Sequence, residues 1–315
     1  MNIFPISGYY FNGAVRINLP FVVDMARKLT LNSKWTLNSG HSIPILGFGT
    51  YKMAGPQAKS AIFEALKAGY RHIDTATLYQ NEADVGGAIK RGISELGLSR
   101  DDLFVTTKLW NADHGNPRKA LERSLNRLGM PYVDLYLIHW PMPQSLSTWK
   151  TLEKLCSEGM CASIGVSNFT IPDLEALLQI SKIPPAVNQV EFSPFLFQKE
   201  LLDFCKRKNL LLEAYSPLTR GRMLGDAALA DVAMRYGKSA AQMMLRWCLQ
   251  HGALPLPKSS HKERIIENSK LFDFSISKRD MEKLDSLSKG LHTGWNPQDR
   301  ISKKAIDLFS PLLKR

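Results

Sequence analysis

LFVTTKLWNADHGNPRKALERSLNRLGMPYVDLYLIHW, residues 103–140, is the stretch that decides the fold. It opens on LFVTTKL, an apolar run of strand length. Next comes a segment of helical period, in which Leu121, Leu125 and Leu128 fall on one stripe at the spacing of a helix that buries one face. Gly129 closes that helix, as a residue tolerant of the left-handed conformation does at a helix end. YVDLYLIHW then supplies a second strand. A strand, a helix and a strand in this order form one parallel crossover unit.

The same unit recurs on both sides. Upstream, LGFGT precedes PQAKSAIFEALKAG, in which Ala61, Ile62, Ala65 and Leu66 line one face, and YRHID precedes EADVGGAIKRGISELG. Downstream, the strand ending at Trp140 precedes STWKTLEKLCSEG, CASIGVS precedes TIPDLEALLQIS, and PAVNQVE precedes KELLDFCKRKN. LLLEAYS precedes DAALADVAMRYG and SAAQMMLRWCLQHG, and ALPLP precedes SSHKERIIENSKL. Gly69, Gly97 and Gly159 close helices as Gly129 does. Ser260 and Glu263 read as a capping box at the start of the last barrel helix. Before the first unit, KWTL, NSGH and SIPI read as a strand, a turn and a strand.

Eight strand-then-helix units, mostly ~25–35 residues apart, predict an α/β chain folded as a (β/α)8 TIM barrel behind an N-terminal β-hairpin. A doubly wound sheet would carry GxGxxG after its first strand; that turn reads GFGTYKMAG here. The barrel domain is expected over residues 34–315. Its tail, from Leu291, carries GWNPQD and an amphipathic stretch around Ala305–Leu313. The tail is expected over the barrel, either across its mouth or as a helix packed on its side. Residues 1–33 read as an extension without fixed structure. Arg16, Arg27 and Lys28 there resemble a transit peptide, but Asp24 and the Tyr9–Tyr10–Phe11 cluster fit one poorly.

The 315 residues are 44% hydrophobic, an ordinary share for a globular protein, and no run approaches the ~18 apolar residues of a membrane helix. The net charge of +12 is spread along helices and interleaved with acids, as in EKLDSLSK. That pattern suits solvated helix faces and a small anionic ligand rather than nucleic acid. Cys156, Cys161, Cys205 and Cys248 lie in or beside apolar runs with no CxxC pair, as free thiols do in a reducing compartment such as the cytoplasm. The seven His show no metal-ligand spacing, so no metal is expected. No surface stripe points beyond a monomer.

Four polar residues stand at or just past strand ends: Asp74 after YRHI, Tyr79 five residues on, Lys108 after LFVTT, and His139 after DLYLI. In a parallel barrel these ends share the face that carries catalysis. A phenol titrates near ~10 in water and is a poor acid at neutral pH. Lys108 is expected to lower that value through its charge, with Asp74 holding Lys108 as an ion pair. His139 would orient a polarised carbonyl. A hydride from a nicotinamide cofactor would complete a reduction.

GYRHIDTATLYQNEADVG, FVTTKLWNADHG, DLYLIHWP, SIGVSNF, NQVEFSPF, AYSPL and LPLPKSSHKERIIEN resemble the aldo-keto reductases, from about Lys34 to Asp299. The family's four catalytic positions fall on Asp74, Tyr79, Lys108 and His139. The resemblance implies NADPH-dependent reduction of aldehydes and ketones, with Tyr79 as general acid. It further implies that Ser167, Asn168 and Gln189 hold the nicotinamide carboxamide, that Tyr215 stacks beneath its ring, and that Ser216 and Leu218 touch the pyrophosphate. Lys258, Ser259 and Arg264 would grip the 2′-phosphate of NADP, and Asn268 the adenine. A helix N-terminus beside Lys258 and Arg264 would add its dipole to that grip.

Tyr51 stands where the family often has Trp, and the loops over Met142–Ser147 and in TRGRMLGDAAL are short. Both features make the chain similar to the compact 2,5-diketo-gluconate reductase and prostaglandin F synthase-like members, with a more open pocket. Tyr51, Trp110, Trp140 and His139 are expected to contact the substrate, because flat apolar walls with few polar groups suit small carbonyl compounds. The rival function is a non-catalytic relative that uses the barrel as a binding module; its mark would be a long partner-binding insertion.

Overall fold

The structure is a computed structural model and describes residues 29–294 and 296. A hairpin of β1 (Lys34–Thr36) and β2 (Ser42–Pro44) pairs antiparallel. The remaining strands are β3 (Gly47–Gly49), β4 (His72–Asp74), β5 (Phe104–Leu109), β6 (Val133–Ile138), β7 (Cys161–Ser167), β8 (Val187–Glu191), β9 (Leu211–Tyr215) and β10 (Leu254–Leu256). They form one eight-stranded parallel sheet in chain order. The Gly49 N–H donates to Pro257 O at 3.0 Å and brings the first strand against the last. The expected (β/α)8 barrel is therefore present, hairpin included.

Glycine makes that closure possible. A Cβ at position 47 would sit 2.4 Å from Leu256 Cδ2 and 2.6 Å from the His72 ring, so a larger residue would push β3 out of line.

Helices α1 (Gly55–Lys67), α2 (Glu82–Leu96), α3 (Pro117–Leu128), α4 (Ser145–Ser157), α5 (Ile171–Ile180), α6 (Lys199–Arg207), α7 (Ala227–Arg235), α8 (Ala240–Gln250) and α9 (Lys262–Ser269) follow the strands. The stripe of α3 that the sequence marks is the face it buries: Leu121, Leu125 and Leu128 are all in the core. Trp149 on α4 and Trp247 on α8 are fully buried. Side chains of this size give roughly 1.5–3 kcal/mol each by leaving water, and they help seat the helices on the barrel.

Three details differ from the sequence reading. The fold begins before Lys34: Leu29 and Leu31 pack against the core, and Ile45 N–H donates to Ser33 O at 3.2 Å. Ser260 and Glu263 do not form a capping box. Helix α9 starts at Lys262 behind His261, which makes no side-chain cap; the Ser259 hydroxyl accepts the His261 N–H at 3.1 Å just before it. Capping boxes do occur at Thr170–Asp173 and Ser239–Gln242. A further helix, α10 (Lys278–Asp285), follows α9. Only Leu284 of its residues is buried, so its sequence carries almost no apolar period to read. Residues 1–28 and the amphipathic stretch Ala305–Leu313 lie outside the described residues.

Candidate active site

A cavity of about 1190 Å³ opens at the C-terminal ends of the strands. Asp74 ends β4, Ser167 ends β7 and Tyr215 ends β9, while His139 follows β6 directly. Tyr79 ends a short 3-10 turn over Thr77–Tyr79. Asn81 fixes that turn to its surroundings. Its Nδ2 donates to the carbonyls of Thr50 and Met53, both at 2.9 Å, and its Oδ1 accepts from Thr75 Oγ1 at 2.7 Å. The loop bearing Tyr51 and the turn bearing Tyr79 are thus tied through one buried amide, and their rings lie 5.0 Å apart.

The floor of the cavity is a buried ion pair. Lys108 Nζ donates to Asp74 Oδ1 at 2.6 Å, to Thr75 O at 2.9 Å and to the Tyr79 hydroxyl at 3.4 Å. Lys108 is fully buried and lies beneath the cavity rather than in its wall. A second buried carboxylate, Glu82, accepts from Thr107 Oγ1 at 2.6 Å and from Arg127 Nε at 2.7 Å. It fixes the strand residue next to Lys108.

Burial pushes the Tyr79 phenol well above its usual value, with the Asp74 and Tyr51 charges adding to the rise and Arg220 opposing it. The sequence leads one to expect that Lys108 lowers the phenol. The Asp74 carboxylate at 2.6 Å offsets that ammonium, so desolvation prevails. Tyr79 therefore keeps its proton at neutral pH. Burial also holds the His139 imidazole well below its usual range, and Lys108 adds to this. His139 is neutral as well, and Trp110 packs edge-on against it at 5.3 Å. Trp140 lines the cavity; Trp110 supports it from behind His139.

A polar wall runs beside the floor. Asn168 adopts a left-handed backbone, φ 64°, which turns its side chain back over β7. Its Nδ2 donates to His139 O and Ser167 Oγ, both at 3.0 Å, and its Oδ1 accepts from the Tyr215 hydroxyl at 2.8 Å. Gln189 Nε2 donates to Asp74 Oδ2 and to Glu213 Oε2, each at 2.8 Å. Six of the seven described non-glycine residues with positive φ stand in loops after strands: Lys52, Gln80, Asn168, Ser216, Thr219 and Arg220. Backbone strain of this kind gathers where side chains must be aimed.

The far end of the cavity is basic. Ser216, Leu218, Lys258, Ser259, Arg264 and Asn268 all line it. Arg264 and Asn268 stand one turn apart on α9, hence on one face. Burial and the nearby Lys52 charge depress Lys258. Neither lysine forms an ion pair among the described residues. Two unpaired cations beside a helix N-terminus suit a phosphate. Amide, hydroxyl and phenol groups at one end and cations at the other fit a cofactor with a carboxamide head and an anionic tail.

Every expected site residue except Trp110 thus lines this one cavity or lies directly beneath it. The sequence reading missed Asn81, Glu213 and Arg220. Arg220 lines the mouth with its guanidinium 5.7 Å from the Tyr51 ring centre. Glu191, at the end of β8, also escaped it. Its buried carboxylate accepts from the Thr293 N–H at 2.8 Å, from the Thr293 hydroxyl, and from the Gly294 N–H at 3.3 Å. The first tail residues are thereby held at the cavity rim, where Thr293 and Gly294 form part of the lining. A lone polar residue within an apolar strand, as in LLLEAY, was the available signal for Glu213. Among the described residues no group of His, Cys, Asp and Glu gathers in metal-binding geometry, and no helix is long and apolar enough to cross a membrane.

A parallel barrel with this set of strand-end groups defines an enzyme class, and comparison with known proteins agrees. The model of the Aldo/keto reductase family matches residues 45–289. The chain belongs to that family. It is 47% identical over 269 residues to the glyoxal reductase of Bacillus subtilis, covering 84% of this chain and 96% of that one. It is 42% identical to the 9,11-endoperoxide prostaglandin H2 reductase of Trypanosoma cruzi, covering 84% of this chain and 94% of the relative. Among solved structures, a Bombyx mori aldo-keto reductase in complex with NADP superposes with a TM-score of 0.79 at 35% identity, covering 84% of this chain and 95% of the other.

Proposed function

We propose that this protein reduces aldehydes and ketones to alcohols with NADPH, and that Tyr79 supplies the proton. The observation that carries the reading is the buried Asp74–Lys108 pair, whose ammonium lies 3.4 Å from the Tyr79 hydroxyl. NADPH, when bound, supplies the hydride. Tyr79 holds its proton in the resting enzyme and gives it to the carbonyl oxygen as negative charge develops there. Lys108 then stabilises the phenolate left behind, and Asp74 keeps the ammonium in place. His139, neutral, orients the carbonyl. Tyr51 and Trp140 supply flat apolar walls, with Trp110 backing His139.

Ser167, Asn168 and Gln189 would hold the carboxamide of the cofactor and Tyr215 its ring. Ser216 and Leu218 would meet the pyrophosphate. Lys258, Ser259 and Arg264 would take the 2′-phosphate, and Asn268 the adenine. The open mouth and the similarity to a glyoxal reductase favour small carbonyl substrates. The reading carries a monomer working in the cytoplasm.

The test is Tyr79→Phe, which removes the hydroxyl and keeps the ring. Loss of a general acid lowers kcat by at least ~10², while the dissociation constant for NADPH stays near that of the wild type. Near-native turnover of a carbonyl panel by Tyr79→Phe would overturn the role of Tyr79.

A further inference from the structure

Glu213 lies in the middle of β9 and is wholly buried. The chemistry above does not use it, yet it is joined to the floor. Its register partner on β8 is Gln189, whose Nε2 bonds both Glu213 Oε2 and Asp74 Oδ2 at 2.8 Å. A primary amide nitrogen carries two hydrogens, so both are taken. The polar atom Gln189 has left for a molecule in the cavity is its carbonyl oxygen. Turning the amide over would set that oxygen against Asp74 Oδ2, a carboxylate oxygen with no hydrogen to give, which is costly in a buried site. The other Glu213 oxygen, Oε1, has no hydrogen-bond partner.

We propose that Glu213 is a positioning residue: with Asp74 it locks the Gln189 amide so that an acceptor faces the cavity, ready for the amino group of a carboxamide, and it sets a second acid behind the Asp74–Lys108 pair. The inference rests on the NADPH reading above.

The second acid makes the cluster sensitive to pH. The charged groups facing Glu213 are Asp74 from β4 and Lys108 from β5. Gln189 from β8 is uncharged, His72 on β4 is held neutral by burial and Lys108, Tyr215 two residues on keeps its proton, and β10 sets Leu254 opposite. Burial, then the Asp74 charge, push the Glu213 carboxyl up to about 8, against Gln189 and Lys108. Below that pH the cluster of two acids and one ammonium is neutral. Above it an extra negative charge stands behind Asp74. Formation of phenolate at Tyr79 then becomes less favourable, and reduction slows.

The experiment compares wild type, Glu213→Gln and Glu213→Leu. It reads NADPH binding by quenching of tryptophan fluorescence, and kcat for an aldehyde across the alkaline range. The wild type is expected to lose turnover as pH rises through about 8. Glu213→Gln can still accept from Gln189 but cannot ionise, so the alkaline fall disappears. Glu213→Leu frees the amide and weakens NADPH roughly tenfold, the scale of one buried hydrogen-bond partner, and Glu213→Gln restores most of that affinity. An unchanged alkaline fall in Glu213→Gln overturns the inference. So does wild-type NADPH affinity in a folded Glu213→Leu; should that variant not fold, the profile of Glu213→Gln decides alone. A wild type that neither binds NADPH nor turns over brings down the NADPH reading itself. An active wild type with indifferent variants brings down only the role of Glu213.

Discussion

The floor and the rim of the cavity are both polar, but they are built on opposite terms. On the floor, Lys108, Asp74, Gln189 and Glu213 are between 0% and 3% exposed and are joined by hydrogen bonds of 2.6–2.8 Å. On the rim, Lys52, Arg220 and Arg264 are exposed, and Tyr51 is 41% exposed. Charges on the floor act through a medium of low effective dielectric; those on the rim are screened within ~8–10 Å at ordinary salt. The floor is set before anything binds. The rim is basic and open to solvent. Chemistry is therefore expected to depend on the floor, and choice of cofactor on the rim.

The strongest way to break this contrast is to unpair the floor. Lys108→Met removes the cation proposed to stabilise phenolate and leaves the buried Asp74 without its ion-pair partner. Turnover should fall to background, with about 3–5 kcal/mol of stability lost as well, read by steady-state assay and chemical denaturation. Asp74→Asn keeps the cation and should cost less turnover. A folded Asp74→Asn that proved worse than Lys108→Met would reverse the two roles.

On the rim the effect is smaller and selective. A charge-assisted, partly shielded contact is worth about 1.5–3 kcal/mol. Arg264→Ala should then weaken NADPH about ten- to a hundredfold and hardly touch NADH, and titrations should show the difference shrinking in high salt. Equal weakening of both cofactors would make Arg264 a support of the adenine or of the fold.

The smallest effect expected is a slope. His72 is fully buried beside Thr106 Oγ1 at 3.0 Å, and burial, then Lys108, lower it to about 3. Its folded-state value lies below its unfolded one, so its contribution is whole above ~6.5 and is lost as pH falls towards 3. Melting temperatures should fall across that window, and less steeply in His72→Gln. Parallel slopes would show that His72 does not carry the acid sensitivity.

The barrel was legible because its strands are short apolar runs and its helices bury plain stripes, as α3 does with Leu121, Leu125 and Leu128. Three of the four site groups, Asp74, Lys108 and His139, were legible for a related reason: each interrupts an apolar run near its end, and Tyr79 follows the first of them by five residues. Glu213 was not, since it sits inside the run LLLEAY and owes its place to neighbours 24 and more residues away in sequence. Asn81 was quoted within a motif, but its three bonds reach back to Thr50, Met53 and Thr75, which no local pattern records. Helix α10 has one buried residue and so no stripe. The box at Ser260 did not form because the helix starts one residue later, with His261 at its N-cap.

The Glu191 contact also has a meaning in time. Glu191 leaves the ribosome 102 residues ahead of Thr293, and most of the barrel is made in between. Domains fold as the chain emerges, so the strands can close around their core while this carboxylate is still without the tail residues that satisfy it. The edge formed by Thr293 and Gly294 is then the last of the described lining to be made, and a product cut short after α10 would lack that edge of the mouth.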